Sequence, residues 1–531
     1  VGTFDYLILG GGSAGCVLAA RLSEDPQVHV ALIEAGPPGD GALIRCPAGI
    51  ALLARTGRAN WNRTTVPQPG LNGRSGYLPA GRVLGGSSAI NAMVYARGHP
   101  RDYDAWAAQG NPGWSFDEVL PYFRRAEHNA RGADAWHGDD GPLHVTDLAE
   151  PHASSAAFVQ AAVQAGFAVN ADFNGAEQQG VGRYQVTQHG GERCSVARAY
   201  VAPQLARPNL FVLTNATVAR IVLAGKRAVG VQYHQDGLVK QLNARREVLL
   251  CAGALHSPQL LMLSGIGPHA HLVHSGVATR HDLPGVGQHL HDHVNVVQVV
   301  RAPRARDTLG LSLGGLLRAG RGLIDWQRHR RGLLTSNLAE AGGFIRSQAC
   351  EPLPDLQLLF VIGQQVDRGG RTVPGHGYSV HISVQRPQSR GTVQLSGNDA
   401  GLAPLIDPNY LGEREDMERL RRGWRLVRQI VAQPALAALG SRESRRSARA
   451  VDDLPLEAFI REHADGGYHP AGSCRMGNGP LDVVDHQLKV RGIAGLRVVD
   501  ASVMPDIVAG GLNATVVMIA EKAADMVRRD G

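Results

Sequence analysis

Gly10-Gly11-Gly12-Ser13-Ala14-Gly15 is the stretch whose reading decides the fold. It fits G-x-G-x-x-G: Gly10 permits a tight turn, Gly12 lets a pyrophosphate approach the backbone, and Gly15 lets a helix pack closely on a strand. The hexapeptide alone is a weak signal in a chain with 66 glycines. Its surroundings supply the rest. Residues 4–9 (FDYLIL) are almost wholly apolar with no helical period, as in a strand buried on both faces. Residues 16–22 read as a helix with Val17, Leu18 and Leu22 on its apolar side, and residues 28–33 as a second buried strand. That strand ends at Glu34, 19 residues beyond Gly15, where a carboxylate holds ribose hydroxyls. A helix opening at residues 12–14 presents free N–H groups and a positive dipole end to phosphate. The unit is βαβ, the fold class α/β, and the ligand a dinucleotide; the motif does not choose between NAD and FAD.

Working outward, residues 153–165 look helical, and residues 212–223 and 228–233 read as paired strands about a turn at Gly225. A short apolar strand at 247–251 precedes Gly253 and a helix over 257–263. Between about 300 and 460 the character changes, with polar helices at 311–328 and 413–432 and alternating strands at 377–384 and 392–395. The end returns to the first pattern: a strand at 496–499, a glycine-rich turn, and a helix from about 513 to 528. The simplest organisation is a nucleotide-binding domain made from both ends of the chain, with a second domain inserted.

Composition bounds the function. The 531 residues suggest two or three domains, and 44% hydrophobic residues give a sizeable core. Six cysteines without C-x-x-C spacing argue against a disulfide scaffold or structural zinc and make a reducing compartment the default. A net charge of +7 is a mild excess. The arginine runs near 318–321 and 328–331 read as solvated helix faces or a cationic patch. No recognition motif accompanies that charge, so nucleic acid is not expected. No run of 18 apolar residues exists, so no spanning helix is expected. A strand begins by Phe4, leaving no room for a signal peptide in this sequence, and a start at Val1 is compatible with a trimmed Met or a removed leader. The expected location is cytoplasmic, with peripheral membrane contact left open by the basic patch.

Residues 81–98 (GRVLGGSSAINAMVYARG) hold two adjacent glycines followed by two small hydroxyl residues, a backbone suited to lie against something flat or anionic. With residues 253–267 (GALHSPQLLMLSGIG), 468–477 (YHPAGSCRMG) and 499–505 (VDASVMP) leading to 513–515 (NAT), the chain resembles the glucose–methanol–choline oxidoreductase family along its whole length. The resemblance is nearest to its bacterial choline-dehydrogenase-like and alcohol-dehydrogenase-like branch. It implies a Rossmann-type FAD-binding domain (residues 1–150, 191–300 and 462–531). It also implies a substrate domain (151–190 and 301–461), built on an antiparallel sheet with flanking helices. It further implies FAD in an extended pose, with its adenine end at Gly10, Gly12, Ser13, Ala14, Gly15, Glu34 and Ala35. The flavin end would meet Arg82, Gly85, Gly86, Ser87, Asn91, Ala92, Met93 and Val94, together with Asp500, Ala501, Asn513 and Thr515. Val218 resembles the residue whose backbone meets adenine; its plain reading is a strand core position. Some members attach flavin through a histidine where this chain has Ile90, so non-covalent FAD is expected.

Oxidising an alcohol removes a hydroxyl proton and a hydride; flavin N5 takes the hydride, and the protein must manage the proton. Among 22 histidines, the resemblance singles out His469 as the base, with the Asn513 amide beside it holding the alcohol oxygen. Asn513 also suits a helix cap. A helix N-terminus there, including the Thr515 N–H, would stabilise negative charge on reduced flavin. His289, His291 and His293 alternate along an extended segment without cysteines, and the family's related loop binds no metal, so no metal is expected. The G-x-S-x-G elbow is absent around Ser257 and Ser264, against a hydrolase.

The substrate pocket is expected from the inserted region, with Asn337 and Glu340, and with Trp61 and Tyr468 at the flavin face. Aromatic residues are only 5%, with no cluster over 330–385, so a primary alcohol or polyol is expected rather than a quaternary ammonium substrate. Electrons would pass to an external acceptor: a quinone, a cytochrome or oxygen. The rival classes are a lyase on the same scaffold, a nicotinamide enzyme and a non-catalytic flavin-binding protein.

Overall fold

The structure is a computed structural model and describes residues 2–308, 310, 312–366, 371–372 and 375–531. Val1 and Leu311, where two sequence expectations fall, lie outside the described residues.

The glycine fingerprint sits where expected, between the strand Gly2–Leu9 and the helix Ser13–Leu22. Gly2–Leu9 pairs in parallel with Val30–Ile33 on one side and with Leu238–Leu250 on the other. Leu210–Leu213 extends the sheet beyond Val30–Ile33, and Leu496–Val498 pairs in parallel with residues 248–250. The result is a parallel sheet covered on both faces, which is why its strands read as unbroken apolar runs. Strand Leu238–Leu250 has 13 residues and serves two neighbours. Its far end carries the parallel pairing, while its near half joins the antiparallel meander Thr217–Ala224 and Arg227–Gln235. Residues 212–223 are therefore two strands in two places, not one arm of a hairpin. The run breaks at Asn215, which has φ +55°; Asn215 N–H donates to the Gly36 carbonyl and Ala216 N–H to the Glu34 carbonyl.

Among the described residues the second sheet has seven strands, all antiparallel: Arg442–Glu443, Val294–Arg301, Gly377–Val384, Leu356–Val361, Ala339–Ile345 and Gly180–Arg183 in order, with Asp465–Gly466 against Val294–Arg301. Two stretches that the sequence divides differently belong here. Residues 294–300 and 465–466, expected in the nucleotide-binding part, pair in this sheet. The β-branched run VNVVQVV suits a strand, and register with residues 377–383 fixes its sheet.

Alternation decides what each face does. Tyr378, Val380, Ile382 and Val384 enter a core with Leu356, Leu358 and Phe360. That core is closed by Met417, Leu420, Trp424 and Val427, spaced as one stripe of the helix Arg414–Val431. The residues between them, Ser383, His381, Gln357, Leu359 and Val361, line a cavity. The C-terminal helix Leu512–Asp530 packs on Ser13–Leu22, where the buried Glu521 accepts from Arg21, Arg125 and the Tyr200 hydroxyl. Among the described residues no helix is long and apolar enough to cross a membrane.

Candidate active site

One cavity of about 1300 Å³ runs from the fingerprint to the second sheet. That exceeds the roughly 300–1,000 Å³ that a drug-sized ligand usually takes, so it has room for a dinucleotide and a small substrate together. At one end lie Gly10, Gly12, Ser13, Ala14, Glu34, Ala35 and Val218; Gly86, Ser87, Asn91, Ala92, Met93 and Val94 follow, then Asp500, Ala501 and Asn513.

Two uncapped helix N-termini, at Gly12 and Gly511, open onto it. Their free N–H groups and dipoles suit an anion such as a pyrophosphate. Gly10 has φ +110°, and a Cβ there would lie 2.5 Å from the Cys251 carbonyl oxygen. Gly86 has φ +54°, and its Cβ would meet the Gly12 Cα at 2.7 Å. The second glycine loop thus lies directly on the first, held by Gly85 N–H to the Gly11 carbonyl at 2.7 Å. The cradle exists only without side chains. These features, with Glu34 at the far end, fit FAD in an extended pose.

Glu34 is buried and already accepts from Gly11 N–H at 2.9 Å and Gly36 N–H at 2.7 Å. Burial raises its pKa to about 7, and those two hydrogen bonds oppose the rise. Gly15 stands off the cavity, its Cα packed against the Gly10 carbonyl. Arg82 is also off the lining: its guanidinium stacks on Trp61 at 4.8 Å. The Asp500 carboxylate takes Gly253 N–H, Ser257 Oγ–H and Ser502 N–H, tying two signature blocks together. Burial raises its pKa.

Two expectations change, and Asn513, which lines the cavity, gains a partner: its Oδ1 accepts from Ser13 Oγ–H at 2.7 Å, joining residues 500 apart. Thr515 is the fourth helical residue after the cap at Gly511, so its N–H is the first that the helix's own ladder engages. The free groups are those of residues 512–514. Glu340 does not line the cavity; its buried carboxylate accepts from His152, Ser155 and Ser336. It is a structural acceptor inside the second domain, held ionised by those partners and pushed below the usual carboxylate range despite burial.

His469 lines the cavity beside Tyr468. Tyr468 has φ +67°, and the loop is pinned by Asp292, whose Oδ1 accepts His469 N–H at 2.7 Å while Oδ2 accepts the Tyr410 hydroxyl at 2.6 Å. Burial pushes the His469 pKa down to about 4, which keeps the ring neutral near pH 7. Its Nδ1 lies 3.0 Å from His293 Nδ1. Nothing among the described residues bonds to its Nε2. The same cavity has a neutral wall: Asn295, Gln357, Gln365, His381 and Ser383, with His381 joined to Asn295 (3.4 Å) and to Gln365 (3.0 Å). Asn337 lines the cavity too, its amide nitrogen donating to the carbonyls of Ala92 and Ala339. Trp61 is covered by two guanidiniums, Arg63 and Arg82, each 4.8 Å from its ring, and stacks on His256. Sequence reasoning weighed His293 only as a metal ligand and missed Asn295 and Gln357; the period-two spacing of polar residues in apolar strands was the available signal.

A nucleotide cradle opening onto a sheet-walled chamber, with a neutral histidine inside, defines a dinucleotide-dependent oxidoreductase. The GMC oxidoreductase family matches residues 4–295 and, through its C-terminal part, residues 387–520. An alcohol dehydrogenase [acceptor] of Pseudomonas putida is 44% identical over 99% of this chain and 96% of its own. The mitochondrial choline dehydrogenase of Mus musculus is 43% identical over 99% and 89%. Among solved structures, pyridoxine 4-oxidase from Mesorbium loti superposes with a TM-score of 0.88 at 33% identity, covering 99% of each chain. A formate oxidase from Aspergillus oryzae, studied for modification of its FAD, gives 0.91 at 26% identity, covering 100% of this chain and 98% of its own. The chain belongs to the GMC oxidoreductase family and is a FAD-dependent enzyme of its alcohol- and choline-dehydrogenase-like kind.

Proposed function

We propose that the protein oxidises a neutral primary alcohol or polyol to the aldehyde or ketone, with non-covalent FAD and an external electron acceptor. The observation that carries this is His469 Nε2, without a hydrogen-bond partner among the described residues, in the chamber that continues into the nucleotide cradle. FAD, when bound, supplies the acceptor for the hydride. The residues present would hold it along Gly10–Gly15, Glu34, the loop 85–94 and the N-terminus of Leu512–Asp530. His469 Nε2 takes the hydroxyl proton. The neutral amides of Asn295, Gln357 and Gln365 orient the rest of the substrate by hydrogen bonds. Ile90 lines the cavity and offers no nucleophile, which supports non-covalent binding.

A quaternary ammonium group seeks an aromatic face and a carboxylate. Here the Trp61 face is already covered by two cations, and the wall of the second sheet is uncharged. Both features favour a neutral substrate over choline. The acceptor is a quinone, a cytochrome or oxygen; the name of the Pseudomonas putida relative supports an external one. We place the enzyme in the cytoplasm with peripheral membrane contact. Leu317, Arg321, Ile324 and Arg328 share one outward face of the helix Leu313–His329, opposite the buried Gly322 and Trp326. Exposed aliphatics between arginines suit an anionic lipid surface.

Anaerobic bleaching of the bound flavin by a panel of primary alcohols, polyols and choline tests this reading. Bleaching by a neutral alcohol at a higher second-order rate than by choline is expected. No bleaching by any alcohol, with cyanohydrin cleavage instead, would place the protein among lyases. Preferred bleaching by choline would overturn the substrate class.

A further inference from the structure

The His469 ring has a neighbour that sequence reasoning set aside with the His289–His293 run. His293 immediately precedes the strand Val294–Arg301, and the His469 loop is pinned to this segment: Gly467 N–H donates to the His293 carbonyl, and His291 bridges to Ala471. The two imidazoles meet edge to face, their centroids 5.1 Å apart, with Nδ1 facing Nδ1 at 3.0 Å. Two facing ring nitrogens form a hydrogen bond only if one carries the proton and the other does not. The direction of that bond decides whether His469 Nε2 is a base or a donor.

The reading of His469 as a base sets the direction. A base needs its lone pair on Nε2, so the one ring proton of neutral His469 sits on Nδ1 and donates to His293 Nδ1, 3.0 Å away. Neutral His293 then carries its own proton on Nε2, which is buried and has no hydrogen-bond partner among the described residues. Burial holds His293 in the neutral form, and the neighbouring His469, His291 and Arg386 act in the same direction. Asp292, between His291 and His293 in the chain, is bound to His469 N–H and Tyr410, with Asp465 beside it.

We propose that His293 is a positioning residue that fixes the tautomer of His469: His469 Nδ1–H donates to His293 Nδ1, so the His469 lone pair is held on Nε2, facing the chamber. This rests on the reading of His469 as the base. When the alcohol O–H bond breaks, the proton forms the Nε2–H bond of His469. The resulting imidazolium keeps its Nδ1–H on a neutral acceptor. No proton leaves the pair, so His293 needs no exchange with solvent.

The test uses the FAD-loaded enzyme. Nitrogen-15 NMR of histidine-labelled resting enzyme, with His469→Ala to assign the signal, reads the tautomer without turnover. The expected result is Nδ1–H for His469, the less common form in water. Nε2–H there would overturn the proposal, whether or not His469 proves to be the base. Stopped-flow flavin reduction follows. His293→Leu removes the acceptor and is expected to slow reduction about 10- to 100-fold, the range for losing an outer partner that orients a working imidazole. His293→Asn places an amide oxygen where Nδ1 lay and is expected to recover most of that loss. A purely structural role predicts the same loss for both variants. Equal rates for His293→Leu and the parent enzyme, with flavin retained, would refute the assignment. Failure of the base reading shows separately, as wild-type reduction by His469→Ala.

Discussion

Replacing Glu34 tests how the cradle is built. Its carboxylate serves two masters: the Gly11 and Gly36 N–H groups at 2.9 and 2.7 Å, and the ribose hydroxyls that would reach it from the cavity. Each hydrogen bond to a charged acceptor contributes about 1.5–3 kcal/mol. Losing the ribose contact at that value weakens FAD binding about 10- to 150-fold, taking 1.36 kcal/mol per decade. Glu34→Ala should therefore shed FAD on dilution. The variant should stay folded but lose stability, because two buried backbone donors lose their acceptor at about 1–3 kcal/mol each. A fold with roughly 5–15 kcal/mol in hand survives that, with a lower Tm. The pH dependence has a definite sign. Burial raises the Glu34 pKa to about 7 from 4.5, so the folded apoprotein favours the protonated acid. This group's contribution to apoprotein stability is full below about pH 4.5 and is lost as pH rises through about 7. Ribose hydroxyls donate to the ionised form, so FAD affinity should rise between pH 6 and 8. Fluorescence titration of apoprotein with FAD across that range, alongside thermal unfolding, measures both. Glu34→Ala binding FAD within threefold of the parent, or parent affinity falling with pH, would refute the reasoning.

Further outcomes follow from the same geometry. His469→Ala should retain FAD and lose about 10²–10⁴-fold in flavin reduction by alcohol. In the parent, reduction should rise with pH through about 4 and be flat above pH 6, since burial keeps the imidazole neutral; stopped-flow absorbance at 450 nm reads both. Asn513→Ala should lower flavin occupancy after gel filtration while leaving the reduction rate per bound flavin within about threefold, because its amide holds Ser13. Acid precipitation should leave FAD in the supernatant; flavin retained in the pellet would count against non-covalent binding. Leu317→Asp with Ile324→Asp should abolish co-sedimentation with vesicles containing anionic lipid while sparing oxidation of a soluble alcohol.

The local elements of the nucleotide cradle are legible in the chain because their physics is local. A turn that needs Gly10 at positive φ, a helix that follows it, and a carboxylate at a fixed distance leave their mark within 34 residues. The antiparallel period of residues 377–384 is equally plain. What decided the site was which strands meet. Nothing near residue 294 says that VNVVQVV pairs with 377–383, so the boundary at 300 fell inside a strand. Nothing near residue 513 says that its amide finds Ser13 across 500 residues, and nothing near 340 says that His152 and Ser155 already hold Glu340. The run at 289–293 showed histidines but not their partner, because His293 and His469 are brought to 3.0 Å only by pairing between the strand and the loop at 465–471. Residue type and spacing set which groups the chain carries; burial and through-space neighbours, which exist only after folding, set their partners, their protonation and their work.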